Sequence, residues 1–279
     1  AIQTENCLMC GRCEAACPVD LRLNALRLSQ RSDYTRITKN TYDYVPATPV
    51  RQAKIAYFAG CMGHLTPQVI QSIRFIFGKA GIDYTFIDEG GGICCGRPMM
   101  LSGNHNAATA IIEKNKTYIK NSGATLLVTS CPICYKTFKE DYQLDIQVMH
   151  HTEYINLLIQ EKVLQPRQSE LKTVFHNPCE LGRGCDVYAA PEEILKTVSR
   201  KLTTAYDGKK SLCCGGSLAN NYLTNIQRTQ LSLDTLNAYL AYKPDVLVTA
   251  CPLCKKTFSK SDSQVPVKDI AEVVAQAIG

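Results

Sequence analysis

The chain has 279 residues, 45% of them hydrophobic and 20% charged. At roughly 100–200 residues per domain that length suggests two domains, and the balance is that of a folded globular protein rather than a disordered one. The formal charge of +6 at pH 7 comes from scattered Lys and Arg with no basic block, so nucleic acid is not an expected partner. Apolar runs such as 124–128 fall far short of the about 20 residues that a membrane span requires. Residues 1–6 lack the basic and apolar regions of a secretory signal. A cytoplasmic protein with no transmembrane segment of its own is expected.

The 15 cysteines are the informative count. Their number is odd, they cluster as Cys-x-x-Cys and Cys-Cys, and no export signal accompanies them. Metal ligation by thiols is therefore expected rather than a secreted disulfide scaffold.

An internal repeat organises the chain. LLVTSCPICYKTF at 126–138 returns as VLVTACPLCKKTF at 246–258. Cys94-Cys95-Gly96 returns as Cys213-Cys214-Gly215, and Cys61 returns as Cys179. A recurrence of about 120 residues means two copies of one domain. We place an N-terminal segment at 1–33, a linker at 34–51, and repeats at 52–164 and 165–279.

In chain order, Leu23, Leu26 and Leu28 give the stretch 22–31 helical spacing. The first repeat reads as strand 55–60, helix 67–79, strand 84–87, helix 104–120, strand 125–129, a short helix from Pro132, strand 146–149 and helix 153–161. The second reads as strand 173–176, helices 192–202 and 224–242, strand 246–249 and a final helix over 268–277. Alternating strands and helices imply an α/β fold, with each repeat a small parallel sheet flanked by helices. Cys61, Cys131, Cys179 and Cys251 then lie just past strand ends, where open α/β sheets bind ligands. Gly90-Gly91-Gly92 lets the backbone of the first Cys-Cys loop approach a bulky group closely.

Cys7, Cys10, Cys13 and Cys17 form the run Cys-x2-Cys-x2-Cys-x3-Cys-Pro, the spacing that wraps a cubane [4Fe–4S] cluster. Soft thiolates suit iron–sulfur chemistry, and a zinc knuckle would need a longer gap between ligand pairs. Either Cys17 closes the same cube or, as in two-cluster ferredoxins, it serves another cluster. The presence of a single run favours the first.

Each repeat gathers five thiols: Cys61, Cys94, Cys95, Cys131 and Cys134, then Cys179, Cys213, Cys214, Cys251 and Cys254. Five is one more than a tetrahedral zinc or an ordinary cube uses. The surplus thiolate bridges metals, stays reactive or dissociates in turnover. Cys185 is left over and reads as a packed thiol or an auxiliary ligand. His176 is a candidate donor to a cluster sulfur or a satisfied core histidine. Arg97 and Arg183 are candidates for an anionic substrate tail or for ordinary ion pairs. Lys136-Thr137 and Lys256-Thr257 open helices, and His64, His150 and His151 show no ligand spacing. With no dinucleotide fingerprint or P-loop, flavin or nicotinamide chemistry is expected on another subunit.

The duplicated Cys…Cys-Cys-Gly…Cys-x-x-Cys pattern resembles the CCG, or cysteine-rich, domain pair of the catalytic subunit of heterodisulfide reductase. The same pair occurs in the iron–sulfur subunits of anaerobic glycerol-3-phosphate, glycolate and lactate dehydrogenases. The preceding cysteine run is similar to the fused type with a ferredoxin-like part. HNPCELGRGCDVYAAP at 176–191 is similar to a segment of that family. Asn177 stands where the family has Asp, and 216–220 depart from its Gly/Ala-rich run. The resemblance implies two non-cubane [4Fe–4S] clusters on the two five-thiol sets, one of them replaceable by zinc. It also implies a disulfide cleaved, or a dithiol oxidised, between them.

The expected function is an oxidoreductase subunit of a multi-subunit complex. Electrons would pass from the N-terminal cube to the paired clusters and a small disulfide or dithiol. The alternative is a relay from a flavoprotein dehydrogenase to quinone. Expected partners are flavoprotein, ferredoxin-type or membrane quinone-linked subunits, which would hold the chain at the inner face of the membrane. A non-redox structural metalloprotein is the third reading.

Overall fold

A computed structural model describes residues 6–34, 50–218, 223–261 and 263–279. Most of the expected linker, residues 35–49, lies outside the described residues. The N-terminal segment contributes α1 (Arg12–Ala15) and α2 (Leu23–Tyr34).

The first repeat runs β1 (Ile55–Phe58), α3 (Cys61–His64), α4 (Pro67–Lys79), β2 (Tyr84–Phe86), α5 (Arg97–Leu101), α6 (His105–Asn121), β3 (Leu126–Thr129), α7 (Pro132–Glu140), β4 (Gln147–His150) and α8 (His151–Gln160). The second runs β5 (Lys172–His176), α9 (Gly182–Cys185), α10 (Ala189–Val198), β6 (Arg200–Lys201), α11 (Asn225–Leu240), β7 (Val246–Thr249), α12 (Pro252–Ser259), β8 (Val267–Asp269) and α13 (Ile270–Ile278). The sheets have the orders β2-β1-β3-β4 and β6-β5-β7-β8, and every pairing is parallel. Val246 to Thr249 of β7 are all buried. Strands covered on both faces read as unbroken apolar runs in this way.

The order explains where the cysteines gather. From β1 the chain moves outward to β2 on one side and inward to β3 on the other. The crevice of such a sheet lies at that reversal, beyond the carboxyl ends of the strands. Cys61 follows β1 and Cys131 follows β3. Cys179 and Cys251 follow β5 and β7 in the same relation. Pro132 and Pro252 start α7 and α12 directly after Cys131 and Cys251. Proline suits that first position because its missing N–H would have no helical partner.

Several expected boundaries are corrected. The helix expected over 268–277 begins instead with β8, because Val267 to Asp269 pair with Leu247 to Thr249. Asp269 then caps α13, accepting from the Ala271 amide at 2.9 Å while Glu272 reaches back to the Asp269 amide. The helix expected over 192–202 spans Ala189–Val198, because Arg200 and Lys201 are drawn off to pair with Lys172 and Thr173. The helix expected from Glu153 starts at His151, with Glu153 bonded to the His150 amide at 2.9 Å. The strand expected to reach Gly60 stops at Phe58, because the Ala59 and Gly60 amides, both at 2.8 Å, turn to the Asp88 carboxylate.

One apolar layer joins the repeats. Helix α4 packs against α13, and α8 against α10. Tyr57, Ile73, Ile76 and Phe77 share one core with Ile194, Leu195, Val198, Ile270, Val273 and Val274. Across this layer His151 Nε2 lies 2.9 Å from Asp269 Oδ1, both side chains fully buried. Among the described residues no helix is long and apolar enough to cross a membrane.

Because this core belongs to both repeats, damage on one side should be felt on the other. Ile194→Ala is expected to cost about 2–5 kcal/mol. In urea unfolding both repeats should still melt in one coincident transition. Two separate transitions would show that the repeats have independent cores.

Candidate metal centre

In the first repeat the five thiols form a continuous string. Hydrogen bonds join Cys61 to Cys94, Cys94 to Cys95, Cys95 to Cys134, and Cys134 to Cys131. All but Cys61 are buried. The second repeat repeats the string: Cys179 to Cys213, Cys213 to Cys214, Cys214 to Cys254, and Cys254 to Cys251. All ten sequence-predicted thiols are thus brought together, five and five. Cys185 joins neither set; burial pushes its thiol up to about 12.

The strings share an electrostatic pattern. Hydrogen bonds from Cys134 and Cys94 pull Cys95 down to about 5 despite its burial. Its counterpart Cys214 is held well below the usual thiol value by Cys213 and Cys254. Cys134 and Cys254 are pushed up, first by their thiol hydrogen bonds and then by burial. The second cysteine of each Cys-Cys pair is therefore the position at which each string most favours a thiolate. The second string also feels the first. At Cys251 the Cys254 hydrogen bond pulls down, but burial and the charge of Cys131 from the other repeat raise the thiol overall.

The backbone is shaped to these sulfurs. Gly60 has φ +77°, and a Cβ there would stand 2.8 Å from Cys134 Sγ, so the position admits no side chain. The Gly96 amide donates to Cys94 Sγ and the Gly216 amide to Cys214 Sγ, each at 3.4 Å. A buried network that spacing alone did not reveal fixes the first Cys-Cys turn. Asn115 Nδ2 donates to the Cys94 carbonyl at 2.8 Å, and the Tyr142 hydroxyl donates to the Cys95 carbonyl at 3.0 Å. In the second repeat Thr235 Oγ1 donates to the Cys213 carbonyl at 2.8 Å. A polar residue on an otherwise apolar helix face was the available signal for Asn115.

The all-thiol donor set suits iron–sulfur chemistry. Among the described residues no three His, Cys, Asp or Glu side chains are grouped to hold a single ion. Strings of five sulfurs fit an extended multi-iron group better than one tetrahedral ion.

The N-terminal run is arranged differently. The Met9 amide donates to Cys7 Sγ at 3.3 Å and the Leu21 amide to Cys17 Sγ at 3.4 Å. Arg27 donates to the exposed Cys13 at 3.3 Å. Cys10 meets Cys213 of the second repeat, whose hydrogen bond pulls it down to about 5. The segment is latched to both repeats. Arg31 donates to the Cys7 and Leu101 carbonyls at 2.9 and 3.3 Å. Ser217 Oγ donates to the Leu8 carbonyl at 2.8 Å.

Two cavities adjoin, sharing Leu101, Cys179 and Glu180. One, of 30 Å³, lies among the second repeat's thiols and is walled by Leu8, Ile133, Leu218 and Leu253. The other, of 160 Å³, is polar and is lined by Cys10, Arg97, Lys136 and Arg183. Arg97 lies 3.6 Å from Asp141 and 4.0 Å from Glu140. Arg183 is committed to three carbonyls, Cys10 at 2.8 Å, Ser211 at 2.7 Å and Lys209 at 3.0 Å. His176 is a satisfied core histidine, 3.2 Å from Thr249 Oγ1 and 3.1 Å from the Leu212 carbonyl. Burial lowers its pKa. Asn177 is buried and wedged against Gly182, where a Cβ would come within 2.5 Å of its Oδ1.

Two substitutions test this architecture. Asn115→Leu removes a donor from the Cys94 carbonyl and is expected to cost about 1–3 kcal/mol in urea unfolding. Gly60→Ala is expected to lower the metal content of the first repeat and leave that of the second intact, as read by metal analysis of the purified variant.

Known proteins share both the sequence pattern and the fold. A dihydromethanophenazine:CoB–CoM heterodisulfide reductase chain from Methanosarcina acetivorans is 29% identical over 247 residues, 82% of this chain and 60% of that protein. EtfAB:quinone oxidoreductase from Syntrophomonas wolfei is 24% identical over 242 residues, 79% of this chain and 34% of that protein. The match thus spans less than two thirds of these relatives' own length. A crystal structure of a hypothetical protein from Helicobacter pylori shares the fold, with a TM-score of 0.56 at 11% identity over 98% of this chain and 57% of that one. The model of the cysteine-rich domain family, CCG, matches residues 55–139 and 173–259, the two stretches that carry the thiol strings, and the chain belongs to that family in two copies.

Proposed function

We propose that the chain is the iron–sulfur subunit of an oxidoreductase that reduces a small disulfide, or oxidises a dithiol. Each five-thiol string would hold a non-cubane [4Fe–4S] cluster, and Cys7, Cys10, Cys13 and Cys17 a cubane one. Bound there, the clusters supply one-electron chemistry. The observation that carries the reading is the surplus thiol, the same five-membered string in both repeats. The similarity to a heterodisulfide reductase chain supports it.

The chain's own residues have definite tasks in this reading. The strings hold metal in sites walled by Phe58, Phe138 and Tyr142 in one repeat and by Phe258 and Tyr239 in the other. Cys131 and Cys251 are the N-caps of α7 and α12, directly past the ends of β3 and β7. The 160 Å³ cavity beside Cys179 receives the substrate. In the net reaction a disulfide takes up two electrons and two protons and becomes two thiols.

A second reading is a relay from a flavoprotein to quinone, with no substrate of its own. It draws on the similarity to EtfAB:quinone oxidoreductase. It draws also on the 30 Å³ cavity at the second string, which has room for a water or two. In either reading the partners are further redox subunits.

Metal analysis of anaerobically purified protein should give about twelve irons and no zinc, the content of three four-iron clusters. The loaded protein should reduce a small disulfide with reduced viologen as donor. Twelve irons without disulfide turnover would favour the relay. About eight irons and one zinc would make one repeat structural. Chelating the metal is expected to lower the thermal midpoint, since binding to folded ligands adds to stability.

A further inference from the structure

The duplication makes the two thiol strings comparable position by position. Asn115 and Thr235 donate to the same carbonyl of each Cys-Cys pair, that of Cys94 and that of Cys213. Each string also has a phenol behind it. Tyr142 donates to the Cys95 carbonyl, and the Tyr239 hydroxyl lies 3.2 Å from Ser211 Oγ. One buried position differs in kind. Phe58 ends β1 opposite Thr129, and His176 ends β5 opposite Thr249. They are separated by the same offset as Cys61 and Cys179. Both rings pack edge-on against the phenylalanine of each Lys-Thr-Phe, Phe58 on Phe138 at 5.1 Å and His176 on Phe258 at 4.8 Å. Where the first string has a benzene ring, the second has an imidazole.

That imidazole has a fixed orientation. Its Nε2 lies 3.1 Å from the Leu212 carbonyl. A carbonyl only accepts, so Nε2 carries the hydrogen. Nδ1 then accepts from the Thr249 hydroxyl at 3.2 Å. Burial lowers the pKa of the ring, which is uncharged at neutral pH. The N–H end of its dipole thus points at the residue directly before Cys213 and Cys214. Adding an electron to an all-thiolate iron–sulfur group adds negative charge. A dipole with its positive end toward the sulfurs lowers that cost, and an apolar ring does not. Solvent acts in the same direction. Cys179 and Cys213 are both half-buried, whereas in the first string Cys61 alone is. The 30 Å³ cavity also lies among the second repeat's thiols.

We propose that the two strings hold groups of unequal reduction potential, with the second repeat the more readily reduced, and that His176, in the place of Phe58, is the positioning residue that sets the difference. It acts through the backbone of Leu212. This rests on the reading that both strings hold iron–sulfur groups. Two such groups take up electrons in order rather than together. In each step one electron passes from the reductant to one group, and no bond forms or breaks.

The test is a potentiometric titration of anaerobic full-length protein, followed by electron paramagnetic resonance and accompanied by iron analysis. The second-repeat signal is the one lost in Cys214→Ser and kept in Cys95→Ser; the first-repeat signal is the reverse. In the wild type the second-repeat signal is expected to appear at the higher potential. His176→Phe is expected to keep the iron content, to move the second-repeat step to lower potential and to leave the first-repeat step in place. Phe58→His is expected to raise the first-repeat step. His176→Gln, which retains a donor for the Leu212 carbonyl, should shift the step less than His176→Phe. A merely structural histidine would alter stability or iron content without moving the potential. Coincident steps in the wild type, a first repeat reduced before the second, or an unmoved second-repeat step in His176→Phe would overturn the proposal and leave the cluster assignment standing. Where His176→Phe loses iron, Phe58→His decides, and an unmoved first-repeat step overturns the proposal. A repeat devoid of iron in the wild type would overturn both.

Discussion

The apolar layer between the sheets is the constraint on which the rest depends. Helices α4 and α13 pack on one side of it and α8 and α10 on the other, so a single core serves both repeats. Burying that surface stabilises the fold and also sets one sheet against the other. The strand ends carrying Cys131 and Cys251 are held on one frame as a consequence. An interface of loops would allow the two thiol strings to drift; a packed core does not. The buried His151–Asp269 contact crosses the same layer and resists sliding, because displacement would leave two buried polar groups unpaired.

On this frame the site is assembled from strand ends, glycine loops and helix starts. Strand order places Cys61 and Cys131 beside one crevice and Cys179 and Cys251 beside the other. The Cys-Cys loops then fold in over them, pinned at their carbonyls by Asn115 and Tyr142 in one repeat and by Thr235 in the other. The two repeats reach the same end by different side chains. Common chemistry at the sulfurs is kept, while the support behind them has diverged. Asp88 shows how local the control is. Its carboxylate turns two amides away from β1 and so delivers Cys61 to the site.

The N-terminal segment makes the molecule asymmetric. The repeats are related by duplication, but the segment sets Cys10 against Cys213 of the second. Arg183 was a candidate for substrate binding or for ordinary pairing on sequence grounds; its guanidinium donates to the carbonyls of Cys10, Ser211 and Lys209 and also lines the polar cavity. Arg97 leans toward Asp141 and Glu140 and still lines the polar cavity.

Much of this was legible in the sequence. Repeat spacing and strand–helix alternation determined two parallel sheets, and the strand ends determined which thiols converge, because a period of two and a period of 3.6 residues leave distinct apolar patterns. The short edge elements were not legible. Val267 to Asp269 and Arg200 to Lys201 become strands only because a neighbour offers backbone partners, and a single sequence carries no record of pairing. The same reason applies to the site. Cysteine counting assigned five thiols to each repeat, but that Cys10 turns to Cys213, and that Arg183 bridges the N-terminal run and the second repeat, follow from contacts between residues far apart in the chain. Those were decided by how the segment packs across the duplicated core, which only the tertiary structure determines.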